Sequence, residues 1–364
     1  MEYESALTAF FNLDTIADVE EYGSGHIHQT FLVSLKDNHL KYILQKLNTF
    51  IFTDVAALQA NIEKVTDHIE KYTNDNDRRI RVVKSLKSSS FHVDELGNYW
   101  RVFNFVAGSR TFDTIESTDL ARQGGHALGK FLSELQGFPV EELHVVLPDF
   151  HNLDKRFRQF NDAVEADPFY RRQDIEEEIA CAQRYYQKFK RFLASAHTEA
   201  IPVRVTHNDP KFNNILFDVQ NRSICLIDLD TVMPGYVFYD FGDAIRTGAA
   251  SASEDEEDVS LMFVKLDLFK AYAEGFLSET QGILTKAELS TLALAPQLMT
   301  FIIGLRFLTD YLNGDIYYKT HRTKHNLQRW LAQKALMMDM EAKEQTMREI
   351  INEIITTNHI KNEE

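Results

Sequence analysis

The apolar spacing changes character once along this 364-residue chain, near Gly108. Before that point apolar residues recur in short β-like runs: FLVSL (31–35), KYILQKLN (41–48), RIRVVKSL (79–86) and NYWRVFNFVAG (98–108). The polar KDNH between the first two marks a hairpin. One stretch interrupts them, VAALQANIEKVTDHIEKY (55–72), whose Leu58, Ile62, Val65 and Ile69 fall at helical spacing. Beyond Gly108 the helical period dominates, in residues 120–138, 175–196 and about 261–279, in the apolar PQLMTFIIGLRFLTDYLNG (296–314) and in one long closing stretch from His325. Two short β-like pieces, VRVTH (203–207) and SICLIDL (223–229), flank a polar loop in this helical part. A β-rich unit followed by a mainly helical one predicts an α+β fold of two lobes, residues 1–106 and 107–364.

Composition narrows the partners. A hydrophobic fraction of 44% supplies a core for a chain of this size, and 12% aromatic residues argue against disorder. The net charge of −16 disfavours nucleic acid and anionic membrane surfaces. It leaves room for a nucleotide, because local Lys, Mg²⁺ and backbone N–H groups override the global sign. Cys181 and Cys225 are far apart with no C-x-x-C spacing, which suits free thiols in a reducing cytoplasm. Glu2 and Glu4 stand where a leader needs positive charge, and no later run reaches 18 apolar residues. The expectation is a soluble, cytoplasmic, monomeric protein. The dense run EDEED (254–258) is expected to be a solvated loop.

The chemistry concentrates in two elements. In ICLIDLDTVMPG an apolar β-run delivers Asp228 and Asp230, which strand alternation would put on one face. Carboxylates leaving a buried strand must be paired, hydrogen-bonded or metal-bound. Upstream, THNDPKFNNILF carries Asp209 and Asn214 five residues apart. The intervening FDVQNRS reads as a hairpin turn that would bring Asp228 to the loop. Asp209, Asn214 and Asp228 then offer the hard oxygen ligands that Mg²⁺ prefers.

The order H-x-D-x-K-x-x-N, then I-D ending a β-run, is the catalytic layout of the protein-kinase-like phosphotransferases. There the loop Asp accepts the hydroxyl proton, and the Asn and the later Asp hold metal on the phosphates. Ile227-Asp228 lacks a following Phe-Gly, and no A-P-E comes later. That resembles the small-molecule branch, the aminoglycoside phosphotransferase and choline kinase superfamily. Gly23 and Gly25 in EYGSGHIHQTFLV suit a turn that lets backbone approach phosphate oxygens. The strand cation is ambiguous: Lys46 lies in the strand, but the superfamily's basic position falls on Gln45, and adjacent strand positions face opposite sides. Glu63 is the candidate to pair with that cation. WRVFNFV (100–106), with Phe103 and Phe105, would be the segment that reads adenine.

Taken together, EYGSGHIHQTFLV, KYILQKLNTFIF, YWRVFNFV, VTHNDPKFNNIL, IDLDTVMPG, YDFGDAIRTGA and GLRFLTDYLNGDIYY resemble the bacterial N-acetylhexosamine 1-kinases, from about residue 20 to about residue 330. The resemblance implies a bilobal protein-kinase-like fold and transfer from ATP, with Mg²⁺, to the anomeric hydroxyl of N-acetylglucosamine or N-acetylgalactosamine. Carried onto this sequence, it makes Asp209 the base, Lys211 the γ-phosphate contact, and Asn214 and Asp228 the Mg²⁺ ligands. It places Arg306, Tyr317, His26, Asp230, Asp243 and Arg246 around the sugar, and gives Asp240 the task of supporting the loop. His28 departs from the family, where Asn is expected. An anomeric hydroxyl is more acidic than an ordinary alcohol, so a carboxylate of near-normal pKa could serve as its base. The alternatives are another acceptor (aminoglycoside, choline, homoserine or another sugar) and a nucleotide-binding pseudokinase. A metal hydrolase fails on spacing, because His207 has no second His nearby.

Overall fold

The computed structural model describes residues 3–23, 27–36, 40–71, 78–198 and 200–363. Gly25, His26 and most of the KDNH turn lie outside them. Contacts divide the chain into two compact units, Met1–Thr111 with Glu134–Leu147 and Leu216–Pro234, and Phe112–Ser133 with Pro148–Ile215 and Gly235–Glu364. The sequence suggested a single cut after Val106. The contact grouping instead adds two later segments to the β-rich unit.

The first unit begins with α1 (Glu4–Phe10), followed by β1 (Ile16–Glu21), β2 (Gln29–Leu35), β3 (Lys41–Lys46), α2 (Val55–Glu70), β4 (Val82–Val83), β5 (His92–Val93) and β6 (Tyr99–Asn104). The strands make one antiparallel sheet in the order β1-β2-β3-β6-β4, with β5 also on β6. The β2–β3 hairpin and α2 match the sequence reading. α1 and β1 were not foreseen, and the expected strand at 79–86 shrinks to Val82–Val83. Val33, Leu44, Trp100 and Val102 pack with Ala6, Leu7 and Phe10 of α1 on one face. Register sets Gln45 beside both Thr30 and Arg101, so three polar side chains meet across β2, β3 and β6. α2 starts at Asp54, whose side chain caps the Ala57 N–H.

The second unit contains α3 (Thr118–Glu134), α4 (Leu153–Ala166), α5 (Glu176–Thr198), the short β7 (Arg204–Thr206), α6 (Val237–Gly248), α7 (Leu266–Thr280), α8 (Lys286–Thr291), α9 (Ala295–Leu312), α10 (His325–Ala342) and α11 (Glu344–Glu363). α9 is apolar nearly all round and is buried as such a helix must be, with Leu298, Phe301, Leu305 and Leu308 in a core shared with Phe189 and Trp330. α3 and α7 meet backbone to backbone: a Cβ on Gly125 would stand 1.9 Å from the Tyr272 carbonyl oxygen, and one on Gly275 would stand 2.0 Å from that of Arg122. The closing stretch is two helices, interrupted at Lys343. β8 (Ile215–Phe217) and β9 (Ser223–Leu226) form the expected ribbon, and β10 (Met233–Gly235) follows. Among the described residues no helix is long and apolar enough to cross a membrane.

The EDEED run is not a free solvated loop. Asp255 accepts from Arg329 and meets His325, while the Glu256 and Glu257 carbonyls accept from Gln328, so the run is fastened to α10.

Candidate active site

In the second unit the segment after β7 carries His207, Asn208 and Asp209, with Asn208 in the left-handed region at φ +64°. Asp240, on the first turn of α6, accepts the N–H of His207 and that of Asn208, each at 2.7 Å. This is the loop support expected of it. Burial, then the charges of Asp243 and Asp209, push the Asp240 carboxyl up to about 7 against the pull of those two N–H bonds. The His207 ring is fully buried against Phe131, with its Nδ1 3.4 Å from the Asp209 N–H. The ring thus sits behind the loop, against the Asp209 N–H and Phe131.

Asp209 itself is less committed. Its carboxylate meets Lys211 Nζ at 2.9 Å, with the ammonium half-exposed, and its carbonyl accepts from Lys211 N–H and from Asn214 Nδ2, both at 2.9 Å. Because the amide of Asn214 donates through Nδ2, its Oδ1 is turned away. That oxygen has no partner among the described residues, as a metal ligand requires. Among the described residues no three His, Cys, Asp or Glu side chains are arranged to hold a metal ion by themselves. A site completed by an amide oxygen, phosphates and water, the arrangement Mg²⁺ favours, needs no such cage.

α6 presents Asp243 and Arg246 one turn apart. Arg246 Nε donates to Asp243 Oδ1 at 2.7 Å and Nη1 to Glu254 Oε2 at 2.9 Å, with both Asp243 and Arg246 buried. Burial opposes the charge of Asp243, but Arg246 and Lys211 outweigh it and hold its carboxyl below the usual range. The two groups expected at the sugar therefore neutralise each other. Arg306, on α9, differs from them. Its guanidinium lies 5.7 Å from the Phe150 ring, 5.8 Å from Tyr317 and 5.6 Å from Tyr318, with no hydrogen bond or ion pair among the described residues. Tyr317 is 66% exposed.

Two residues that organise this region escaped the sequence reading. Asp310, on α9, is buried and accepts the N–H groups of Ile316, Tyr317 and Tyr318. His151, just before α4, donates from Nε2 to the Asn208 carbonyl at 3.0 Å. A lone His 57 residues upstream of its partner leaves no local spacing to detect.

In the first unit β9 ends at Leu226, and Asp228 turns the chain through the left-handed region, φ 61° and ψ 54°. A 3₁₀ turn over Leu229–Thr231 follows. Strand alternation therefore does not relate Asp228 to Asp230, contrary to expectation. Asp230 is fully engaged: Arg101 grips it through Nη1 at 2.5 Å and Nη2 at 2.9 Å, and His28 Nε2 makes a short bond to Oδ2. Arg101 Nε donates to Gln45 Oε1 at 2.9 Å, and His28 Nδ1 accepts the Asn48 N–H at 3.0 Å. Burial opposes the charge on Asp230, but Arg101 and His28 hold the carboxyl far below its ordinary range. Asp230, expected at the sugar, has both oxygens engaged by Arg101 and His28. Asn61 of α2 fixes the far end of the turn by donating to the Val232 carbonyl at 2.9 Å.

Gln45 and Lys46, the two candidates on β3, face different surroundings. Gln45 faces Thr30 and Arg101, whereas the Lys46 ammonium lies 5.9 Å from the Trp100 ring. Glu63 pairs with Lys84 at 2.5 Å rather than with Lys46. Gly23 takes φ +80°, the conformation expected of the turn. Phe103 lies under Arg101, and Phe105 packs edge-on against Tyr22. Asp209, Lys211 and Asn214 thus gather in the second unit with Asp243, Arg246 and Arg306, while Asp228, Gly23 and Lys46 belong to the first.

Residues 18–262 match the model of the phosphotransferase enzyme family. In overall structure the chain is similar to an aminoglycoside phosphotransferase from Alicyclobacillus acidocaldarius, at 13% identity and TM-score 0.64 over 96% of each chain. It is also similar to the Plasmodium vivax ethanolamine kinase, at 14% identity and TM-score 0.58 over 88% of this chain and 82% of that one. A choline kinase from Cryptosporidium parvum matches at 14% identity and TM-score 0.54, covering 96% of both. The fold is kinase-like, an antiparallel β-sheet region followed by a helical one.

Proposed function

Since this chain belongs to the phosphotransferase enzyme family, we propose that it is an ATP-dependent small-molecule kinase that converts an N-acetylhexosamine to its 1-phosphate. The observation that supports this acceptor is Arg306, a guanidinium ringed by Phe150, Tyr317 and Tyr318 and free of ion pairs among the described residues. A cationic acceptor such as choline or an aminoglycoside would meet an unneutralised positive charge there. A neutral sugar offers hydroxyl and acetamido oxygens to its N–H donors, and its C–H faces suit the aromatic rings.

Asp209 takes the proton of the anomeric hydroxyl as that oxygen forms its bond to the γ-phosphorus. The bond from the γ-phosphorus to the β,γ-bridging oxygen breaks, and ADP departs with the electron pair. Lys211, 2.9 Å from Asp209, sets a positive charge beside the transferring group. When bound, Mg²⁺ neutralises charge on the phosphates. Asn214 Oδ1 and the Asp228 carboxylate would be the oxygens that hold it. Arg306 and Tyr317 orient the sugar.

The test is incubation with MgATP and a panel of N-acetylhexosamines, neutral hexoses, choline and aminoglycosides, with the phosphate located by ³¹P–¹H coupling. N-acetylhexosamine 1-phosphate is the expected product. Phosphate on a non-anomeric oxygen, or turnover confined to cationic acceptors, overturns the acceptor assignment.

A further inference from the structure

The peptide joining Asn208 to Asp209 decides where the Asp209 side chain points, because Asn208 stands at φ +64° and its neighbour must follow. The two torsions about that peptide, ψ of Asn208 and φ of Asp209, aim the Asp209 Cα–Cβ bond, so any rotation of the peptide that they do not compensate moves the carboxylate. The two sides of that peptide are held unequally. Its N–H reaches His207 Nδ1 at 3.4 Å, a long bond, whereas its oxygen accepts from His151 Nε2 at 3.0 Å.

A carbonyl oxygen only accepts, so Nε2 of His151 must carry the proton, and in the neutral ring Nδ1 is then a bare lone pair. That Nδ1 is buried with no partner. A Phe or Leu of similar size would avoid leaving it so, and what the His supplies in return is the Nε2–H. Burial, outweighing the opposing pull of Asp243, takes the His151 pKa down to about 4, so the ring is uncharged at neutral pH. The rings of Phe150 and Tyr239 enclose it at 4.5 Å and 5.1 Å. Asp209, Asp243 and Arg306 are the charged groups that face it. A Lys or Arg in its place could grip the same oxygen, but it would set a second cation beside Asp209 and weaken it as a base.

We propose that His151 is a positioning residue for the catalytic carboxylate, a neutral N–H donor that locks the Asn208–Asp209 peptide. This rests on Asp209 being the base of the proposed reaction.

Two variants test it. His151→Phe keeps the ring and deletes the donor; kcat should fall about tenfold to hundredfold with KM for ATP within about twofold. His151→Gln restores a neutral N–H and should recover most of that loss. Unchanged kcat in His151→Phe, or equal loss in both variants, overturns the proposal. A readout free of turnover separates this from failure of the functional reading. Ring ¹⁵N shifts of the wild-type protein should show the Nε2–H tautomer, still neutral at pH 5.5, and the Asp209 amide should exchange faster in His151→Phe. An Nδ1–H tautomer or an imidazolium at pH 7 also overturns the proposal.

Discussion

Two buried polar clusters, one in each unit, are built on opposite terms. In the first unit Arg101, Asp230, His28 and Gln45 answer one another: the guanidinium grips both carboxylate oxygens, and both imidazole nitrogens are bonded. In the second unit the loop around Asp209 is held just as firmly through its backbone, yet the side chains it presents are left open. Asn214 Oδ1, His151 Nδ1 and the Arg306 guanidinium have no hydrogen-bonding partner among the described residues. Closure makes a strut and openness makes a site. By that criterion Asp230, which resembles a ligand residue in sequence, belongs to the framework.

The comparison breaks most visibly at Asp209. Asp209→Ala should lower kcat by about 10²–10⁴-fold, the usual contribution of a general base, while ADP titration gives an unchanged Kd and unfolding an unchanged midpoint. Substantial residual turnover would remove Asp209 from the role of base. The closed cluster should respond in stability instead. Arg101→Met strands a buried carboxylate and should cost about 3–5 kcal/mol in denaturant unfolding, much of it recovered when Asp230→Leu is added. The sign with pH is also fixed. A carboxyl depressed in the folded state stabilises above its unfolded value, near 4, and that stability is lost as pH falls below it. Wild type should therefore weaken in acid more steeply than the double variant. The smallest effect is expected at Glu63. Its pair with Lys84 is partly exposed, so Glu63→Gln should cost less than about 1 kcal/mol and leave nucleotide affinity alone. A large loss of ATP affinity would return Glu63 to the nucleotide site.

The sequence was legible where burial follows a period. The β2–β3 hairpin, α2, α5 and α9 all show their apolar spacing, and the loop bearing Asp209 and Asn214 announces itself by residue type. β1 was hidden because it is a largely exposed edge strand, IADVEE, with only two aliphatic positions turned partly inward. α6 was hidden for the opposite reason: Asp240, Asp243 and Arg246 are on its buried positions, so its polarity runs against the amphipathic rule. The pairing of Asp228 with Asp230 failed because one left-handed residue ended the alternation. Arg101, an Arg in the middle of a strand, could have prompted a search for a buried carboxylate, since so large a charge does not enter a sheet unpaired.

Asp310 carries a consequence for recognition. One carboxylate takes three successive N–H groups and fixes the backbone under Tyr317, whose ring is mostly exposed beside Arg306. The conformational entropy of that rim is surrendered during folding, before any acceptor arrives. Preorganisation of this kind lets a small, weakly hydrophobic molecule bind without first ordering the wall it leans on.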